Sequence, residues 1–352
     1  MKRLLVSVLF ASVVVFLFST VYAAEAIKLK FANYFPPTHK NSLIGAQFCD
    51  EIKKRTSGKV EITYYPGGTL SSAPKMFNGV VQGITDIGMS TIAYNKGRFP
   101  LTEAHDLPLD LPSGYVSTHV ANDAFKKYRP KEWDAVHVLY FFATGPNIVH
   151  SLKKQVRTLE DMRGLKLRAV GRTADVVTAL GATPMPIEMV DLYESLRRGV
   201  LDGAMTTAEV LKGFKTGELV KSATSPSRIG STFVFYLVMN KEKWNSLPDQ
   251  LKKAFDDVSE ELKERHAVIM NEIDIEGIDC LKQNGGQMIT LSDAESKRWE
   301  KAVEPVIAGF KTDLVSKGFN QAEVDEYIGY LKERATFWKR MEKEKNIPTA
   351  FQ

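Results

Sequence analysis

Histidine and cysteine are the side chains best suited to metal binding and nucleophilic chemistry, and their spacing in this chain supports neither role. The chain contains no HExxH, CxxC, GxSxG or GxGxxG motif and no phosphate-binding GxxxxGK loop. We therefore expect a protein that is not an enzyme and that uses no metal and no cofactor. The six histidines are scattered, without a pair at metal-ligand spacing: His39, His105, His119, His137, His150 and His266.

The two cysteines, Cys49 and Cys280, are too few for a disulfide framework. Each falls in a predicted helix, where cysteine commonly packs as a small hydrophobic residue. The sequence alone leaves open whether they are bonded to each other in an oxidising compartment.

The composition is that of a folded globular protein. The chain has 352 residues, 44% of them hydrophobic, and a formal net charge of +5. This length suggests two domains. A charge of +5 over this length is too weak to indicate nucleic-acid binding, so we expect no nucleic-acid partner.

The first residues have the pattern of a secretory signal peptide. Lys2 and Arg3 precede a mostly apolar run over residues 4–18, and Val21 and Ala23 supply small side chains before a cleavage point. The run is shorter than the ~20 residues that a membrane-spanning helix needs. We therefore expect residues 1–23 to be removed and the rest to be a soluble periplasmic protein.

Strand and helix patterns alternate through the chain. Alternating apolar residues predict strands at 27–33, 60–65 and 84–89, and helical spacing predicts helices at 42–57 and 76–82. This alternation continues to about residue 240 and is typical of α/β domains with largely parallel sheets.

One helical pattern is too long for a single lobe. It begins at Pro248, ends before Gly285, and tolerates a glycine at Gly277. A helix of about 36 residues is roughly 54 Å long, whereas a domain of ~150 residues is only about 30–40 Å across. We therefore expect the helix to span two lobes. Two lobes without catalytic motifs favour ligand capture in a cleft that closes by a hinge.

Several segments, in order along residues 27–300, resemble the solute receptors of TRAP transporters, the tripartite ATP-independent periplasmic transporters. The segment DMRGLKLR resembles the family motif D(L/F)KGLKIR, and LGATPMPIEMVDLYESLRRGVLDGA resembles a second family motif that ends in DGQ. Each piece alone is weak, but the combination is specific. The matching segments are residues 57–70, 83–89, 94–109, 161–168, 180–204 and 235–248.

The resemblance implies an α/β fold of the type II-like periplasmic binding proteins, with a long helix spanning both lobes and a central ligand cleft. Mapped onto this chain, residues 27–147 and 233–272 form lobe one. Residues 148–232 and 273–352 form lobe two.

The resemblance also implies that Arg168, the last residue of DMRGLKLR, pairs with a ligand carboxylate. A planar guanidinium can offer two parallel N–H donors to such a group and stays charged when desolvated. Arg172 is a candidate second cation. Sialic-acid receptors of the family carry another arginine where this chain has Asn147.

The other family contact positions are mostly apolar in this chain. Met205 and Thr206 stand where the family motif has Glu and Asn, and Met189 stands where it has Phe. Thr91 replaces a glutamate, and Phe233 occupies a position that is polar in sialic-acid receptors. The remaining candidates follow strands of lobe one: Asn33, Tyr34 and Tyr94. Because a polyhydroxylated ligand would find too few partners here, these residues predict a monocarboxylate with a fairly apolar body.

The resemblance implies a partner as well as a ligand. We expect a monomeric receptor that delivers an organic acid to the integral-membrane subunits of a TRAP permease. The alternative is a periplasmic binding protein that reports to a sensor kinase, and the sequence of one chain does not separate the two.

Overall fold

Two β-sheets form the centre of the fold in a computed structural model that describes residues 25–226 and 229–351. The first sheet has the strand order β2-β1-β3-β10-β4, and the second has the order β11-β9-β5-β8-β6-β7. The strands are β1 (Ile27–Asn33), β2 (Val60–Tyr65), β3 (Ile87–Thr91), β4 (Val136–Ala143), β5 (Ile148–Ser151), β6 (Lys166–Arg168), β7 (Thr183–Met185), β8 (Gly203–Thr206), β9 (Ser222–Ser225), β10 (Val234–Asn240) and β11 (Gln287–Thr290).

Helices cover the two sheets, so the α/β class expected from the alternating pattern is confirmed. The predicted signal peptide lies outside the described residues. Among the described helices, none is both long and apolar enough to cross a membrane. The helices are α1 (Lys40–Arg55), α2 (Met76–Val81), α3 (Gly114–Tyr128), α4 (Arg172–Ala179), α5 (Leu192–Arg197), α6 (Val210–Gly213), α7 (Lys241–Ser246), α8 (Asp249–Gln283), α9 (Asp293–Ser316) and α10 (Gln321–Glu344).

Each sheet contains one strand that runs against its neighbours, which the expectation of largely parallel sheets did not include. In the first sheet β10 is antiparallel to β3 and β4. In the second sheet β5 is antiparallel to β8 and β9. Both strands come directly after the chain has crossed from one sheet to the other. The reversed direction is therefore a consequence of the two crossings.

The first crossing segment, residues 144–147, runs beside residues 229–233 of the second crossing segment. The Thr144 amide donates to the Phe233 carbonyl oxygen at 3.0 Å, and the Asn147 amide donates to the Ser231 carbonyl oxygen at 2.7 Å. The Phe233 amide donates in turn to the Thr144 Oγ1 at 2.9 Å. These bonds hold the two connections together at one place between the sheets.

The long helix predicted between Pro248 and Gly285 is confirmed as α8, which has 35 residues. It packs on α1 and α3 beside the first sheet and on α6 and β11 beside the second. Gly277 lies where α8 meets the segment before α6, and a Cβ there would sit 1.9 Å from the Ala208 carbonyl oxygen. The glycine is thus required by close packing, and it does not interrupt the helix.

The C-terminal helices return toward the first sheet. An apolar stripe of α10 that includes Tyr327 and Leu331 packs on Val116 and Val120 of α3. The boundary expected from the sequence assigned all of residues 273–352 to lobe two, whereas α10 lies beside α3.

The two cysteines are free: Cys49 is buried, and Cys280 is partly exposed.

Candidate functional site

A cavity lies between the two sheets, beside the two crossing segments. The empty space between its walls, together with the open solvent at its mouth, amounts to about 300 Å³. Side chains from both lobes line it, so the cavity exists only while the lobes are close together. Seven of the residues expected from the sequence line this space: Tyr34, Thr91, Tyr94, Arg168, Met189, Thr206 and Phe233.

Arg168 is the most constrained polar group of the cavity. It is the last residue of β6 and is only 1% exposed. Its Nε donates to the Ile187 carbonyl oxygen at 3.0 Å, and its Nη2 donates to the Tyr94 hydroxyl oxygen at 3.1 Å. Its Nη1 is buried without a hydrogen-bond partner. In the part of the chain that the structure describes, no carboxylate pairs with this guanidinium.

A buried cation without a counter-charge is costly, and an unmade hydrogen bond adds about 1–3 kcal/mol. The free Nη1 therefore marks the place where an anion would be stabilised. The Thr206 Oγ1, also buried and without a partner, is a second unused polar group of the cavity.

Tyr94 connects the two lobes at this site. It follows β3 of the first sheet, and its hydroxyl oxygen accepts hydrogen bonds from Arg168 and from the Met189 amide at 2.9 Å. Burial raises the pKa of Tyr94, although the Arg168 charge acts in the opposite direction. Tyr34 packs edge-on against Tyr94 with ring centroids 5.9 Å apart, and burial raises its pKa well above the usual value. Both phenols therefore stay protonated at neutral pH.

The rest of the wall is mainly apolar. Met189 and Phe233 line the cavity as expected from the sequence. Thr91 also faces this region, but its hydroxyl is already used: Oγ1 donates to the Val234 carbonyl oxygen at 2.8 Å and accepts from the Ala93 amide at 3.3 Å. Thr91 therefore has little capacity left for a polar ligand group.

Three expected contact residues do not line the cavity. Asn33 is fully buried within lobe one, where its side chain bonds with Ser42 and Tyr64. The Asn147 amide nitrogen donates to Thr173 and Ser231 hydroxyls near the crossing segments, both at 3.2 Å. Met205 belongs to the apolar core of lobe two.

Strand alternation explains the position of Met205. Successive side chains of a strand point to opposite faces, so Thr206 reaches the cavity while its neighbour Met205 faces the core.

Arg172, the candidate second cation, is also absent from the cavity wall. Its Nε donates to the Glu103 Oε2 at 2.8 Å in a buried ion pair.

Six cavity residues were not predicted from the sequence. Val170 and Phe235 lie two positions beyond the predicted Arg168 and Phe233, so strand alternation could have suggested them. No local signal identified Phe214, which reaches the cavity from the end of α6. The full set is Thr144, Val170, Thr207, Glu209, Phe214 and Phe235.

Glu209 is the one carboxylate among the described residues that line the cavity. Its Oε2 lies 2.8 Å from the His39 Nε2, and both side chains are buried. Its Oε1 accepts from the Thr207 hydroxyl at the longer distance of 3.3 Å. Because His39 belongs to lobe one and Glu209 to lobe two, this contact also joins the lobes.

Two further contacts join the lobes outside the cavity. The Arg172–Glu103 pair is buried, with Nη2 and Oε2 2.7 Å apart, and burial raises the pKa of Glu103. The Lys96–Asp175 pair is partly exposed, with Nζ and Oδ1 2.7 Å apart.

Among the described residues no cluster of His, Cys, Asp and Glu could hold a metal ion. The arrangement is a cavity between the lobes whose wall carries one buried guanidinium with an unpartnered nitrogen.

Comparison with known proteins identifies relatives over most of the chain. The sequence model of the bacterial extracellular solute-binding protein family 7 matches residues 31–313. The 2,3-diketo-L-gulonate-binding periplasmic protein YiaO of Escherichia coli is 25% identical, over 77% of this chain and 83% of its own.

Solved structures show the same fold. A TRAP periplasmic solute-binding protein from Desulfovibrio salexigens is 33% identical, with a TM-score of 0.76 over 87% of this chain and 95% of its own. A TRAP solute-binding protein from Rhodoferax ferrireducens, in complex with copurified benzoate, is 21% identical, with a TM-score of 0.84 over 90% of this chain and 99% of its own.

Proposed function

This chain belongs to family 7 of the bacterial extracellular solute-binding proteins, the TRAP periplasmic receptors, and we propose that it captures an organic monocarboxylate with a largely apolar body. Members of this family are solute-binding receptors, so the expectation that the chain is not an enzyme is confirmed. The proposal therefore concerns which solute the cavity accepts and where it is delivered.

The unpartnered Nη1 of Arg168 carries the proposal. The guanidinium is buried and fixed by its bonds to Ile187 and Tyr94, with one nitrogen left for a ligand. A carboxylate at Nη1 would neutralise the buried charge and complete its hydrogen bonds. The Thr206 hydroxyl, which also lacks a partner, is available as a further donor to the same group.

The proposed apolar body follows from the remaining wall. Met189, Val170, Phe214, Phe233 and Phe235 surround the space beside Arg168. Burying an apolar ligand against such side chains contributes about 25 cal/mol per Å². The benzoate held by the R. ferrireducens protein is an acid of this class, which supports extending the class to the present chain.

The first test identifies the solute directly. The purified protein is denatured, and the released small molecules are identified by mass spectrometry. Titration calorimetry on refolded, ligand-free protein then measures their affinity. A monocarboxylate that binds with a stoichiometry of one supports the proposal. A released dicarboxylate, or a neutral solute of comparable affinity, contradicts it.

Delivery to a TRAP permease is the second part of the proposal, with the receptor acting as a monomer outside the cytoplasm. Uptake of the identified acid is measured in cells with and without the gene for this chain. Loss of uptake on deletion supports delivery, and unchanged uptake contradicts it. Light scattering of the purified protein at working concentrations checks for the monomer.

A further inference from the structure

The cavity contains a second charged group, Glu209, that the binding of a simple monocarboxylate leaves unexplained. Glu209 is 5% exposed and lies in the wall together with Arg168, the one Lys or Arg among the described lining residues. When a ligand carboxylate neutralises Arg168, the Glu209 carboxylate remains buried without a cation. Such a group is stabilised only if hydrogen-bond donors surround it.

The hydrogen bonds of His39 define its protonation state. The Asn41 amide donates to His39 Nδ1 at 3.1 Å, so Nδ1 is an acceptor and carries no hydrogen. The ring hydrogen is therefore on Nε2, which donates to Glu209 Oε2 at 2.8 Å. His39 is thus a neutral donor, and it does not supply the missing positive charge.

The neighbours of Glu209 leave much of its hydrogen-bonding capacity unused. An ionised carboxylate has about four acceptor positions. His39 occupies one, and the Thr207 hydroxyl makes a long contact of 3.3 Å with Oε1. The Asp274 Oδ1 accepts from the Glu209 amide at 3.0 Å, which fixes the backbone at this residue. Burial raises the pKa of Asp274 well above its usual range, although hydrogen bonds from the Glu209 and Gly145 amides act in the opposite direction.

We propose that Glu209 accepts a hydrogen bond from a hydroxyl or ammonium group of the ligand, so that the receptor selects carboxylates that carry such a donor away from the carboxylate. This inference rests on the proposed function, because Arg168 must hold the carboxylate. A plain acid would leave Glu209 unpaired, and a site built around a buried polar group rejects analogues that lack its partner.

Matched ligands test the selectivity. Titration calorimetry on the ligand-free protein compares benzoate with 3-hydroxybenzoate and 3-(aminomethyl)benzoate, and hexanoate with 6-hydroxyhexanoate and 6-aminohexanoate. A hydrogen bond to a charged group predicts about a 10- to 100-fold preference for a donor-bearing acid over its plain counterpart. The hydroxyl and ammonium arms show which donor Glu209 prefers.

Two variants assign the preference to Glu209. Glu209→Met removes the acceptor and should reduce the preference to less than about threefold. Glu209→Gln keeps an acceptor oxygen without the charge, so it should weaken the ammonium ligand more than the hydroxyl ligand. It also serves as the test if the Met variant does not fold. His39→Gln retains an N–H donor and is the control for lobe closure. It should weaken plain and donor-bearing acids by the same factor.

The outcomes separate this inference from the proposed function. If plain and donor-bearing acids bind equally well to the wild type, the inference is wrong and the proposed function stands. If Glu209→Met weakens both ligands of a pair equally, Glu209 only holds the lobes together, and the inference is again wrong. If no carboxylate binds, both proposals fail.

Discussion

Arg172 and Glu103 form a buried ion pair across the two lobes, with Nη2 and Oε2 2.7 Å apart, and neither residue lines the cavity. The pair can exist only when the lobes are closed, because Arg172 begins α4 of lobe two and Glu103 lies between β3 and α3 of lobe one. Its free energy therefore belongs to the closed state and contributes to affinity without contact to the ligand.

Arg172→Met should weaken ligand binding at least tenfold, since truncating one member of a buried pair costs about 3–5 kcal/mol. The melting temperature of the ligand-free protein should change little, because opening hydrates both groups. Lys96→Met is the matched control, since it breaks the partly exposed Lys96–Asp175 pair, which is worth about 0–1 kcal/mol. Equal losses of affinity in the two variants would contradict this prediction.

Arg168→Ala should weaken binding of the identified acid by roughly 30-fold to several thousand-fold, because about 2–5 kcal/mol is lost when a buried charge pair loses one member. Arg168→Lys should also bind poorly, since an ammonium cannot reproduce the fork that bonds Ile187, Tyr94 and the ligand. Arg163→Ala, which removes an exposed positive charge from the same motif, is the control for net charge. A change below threefold for Arg168→Ala in calorimetry would reject the assignment.

His150 should make the protein sensitive to acid. Burial lowers its pKa to about 3, and neither ring nitrogen has a hydrogen-bond partner. The unfolded chain binds a proton near pH 6.5 and the folded chain does not, so stability is lost as pH falls from about 6.5 toward 3. His150→Leu should reduce the slope of unfolding free energy by up to ~1.4 kcal/mol per pH unit in that window. Urea unfolding at pH 4.5, 6 and 8 measures the slope, and an unchanged slope would exclude His150 as its source.

Gly277→Ala should destabilise the protein by about 1–3 kcal/mol, because the new Cβ would overlap the Ala208 carbonyl oxygen and push α8 away from the segment before α6. Gly309→Ala in α9 is the matched control. No atom lies within 4 Å of its added Cβ, so this variant should gain about 0.5–1 kcal/mol of stability. Thermal unfolding of the two variants should therefore shift in opposite directions.

The features that could be predicted from the sequence are those with a local or periodic signal. The apolar stripe between Pro248 and Gly285 predicted α8, and the DMRGLKLR motif directed attention to Arg168. Tyr34 and Tyr94 were found because each follows a strand end that faces the cleft in the family that the sequence resembles. In these cases a short segment determines both the element and the direction of the side chain.

The features that were missed depend on distant segments. Glu209 reaches the cavity because α6 is placed against α8, and its partner His39 is 170 residues away in the chain. Asn147 looked like a ligand contact by position, but its side-chain amide nitrogen donates to Thr173 of α4 and to Ser231 of the second crossing segment. The packing of α10 on α3 likewise depends on apolar surfaces that are far apart in sequence.

The paired crossing segments and α8 join the lobes, and the chain also returns from α9, which packs on α4 of lobe two, to α10, which packs on α3 of lobe one. The hydrogen bonds between the paired segments keep them together. The helix α8 packs on both lobes, and its Asp274 accepts a hydrogen bond from the Gly145 amide of the first crossing segment. A rotation that opens the cavity must therefore either pivot close to Asp274 or break this bond, so this one carboxyl group of α8 acts as the fulcrum of the motion.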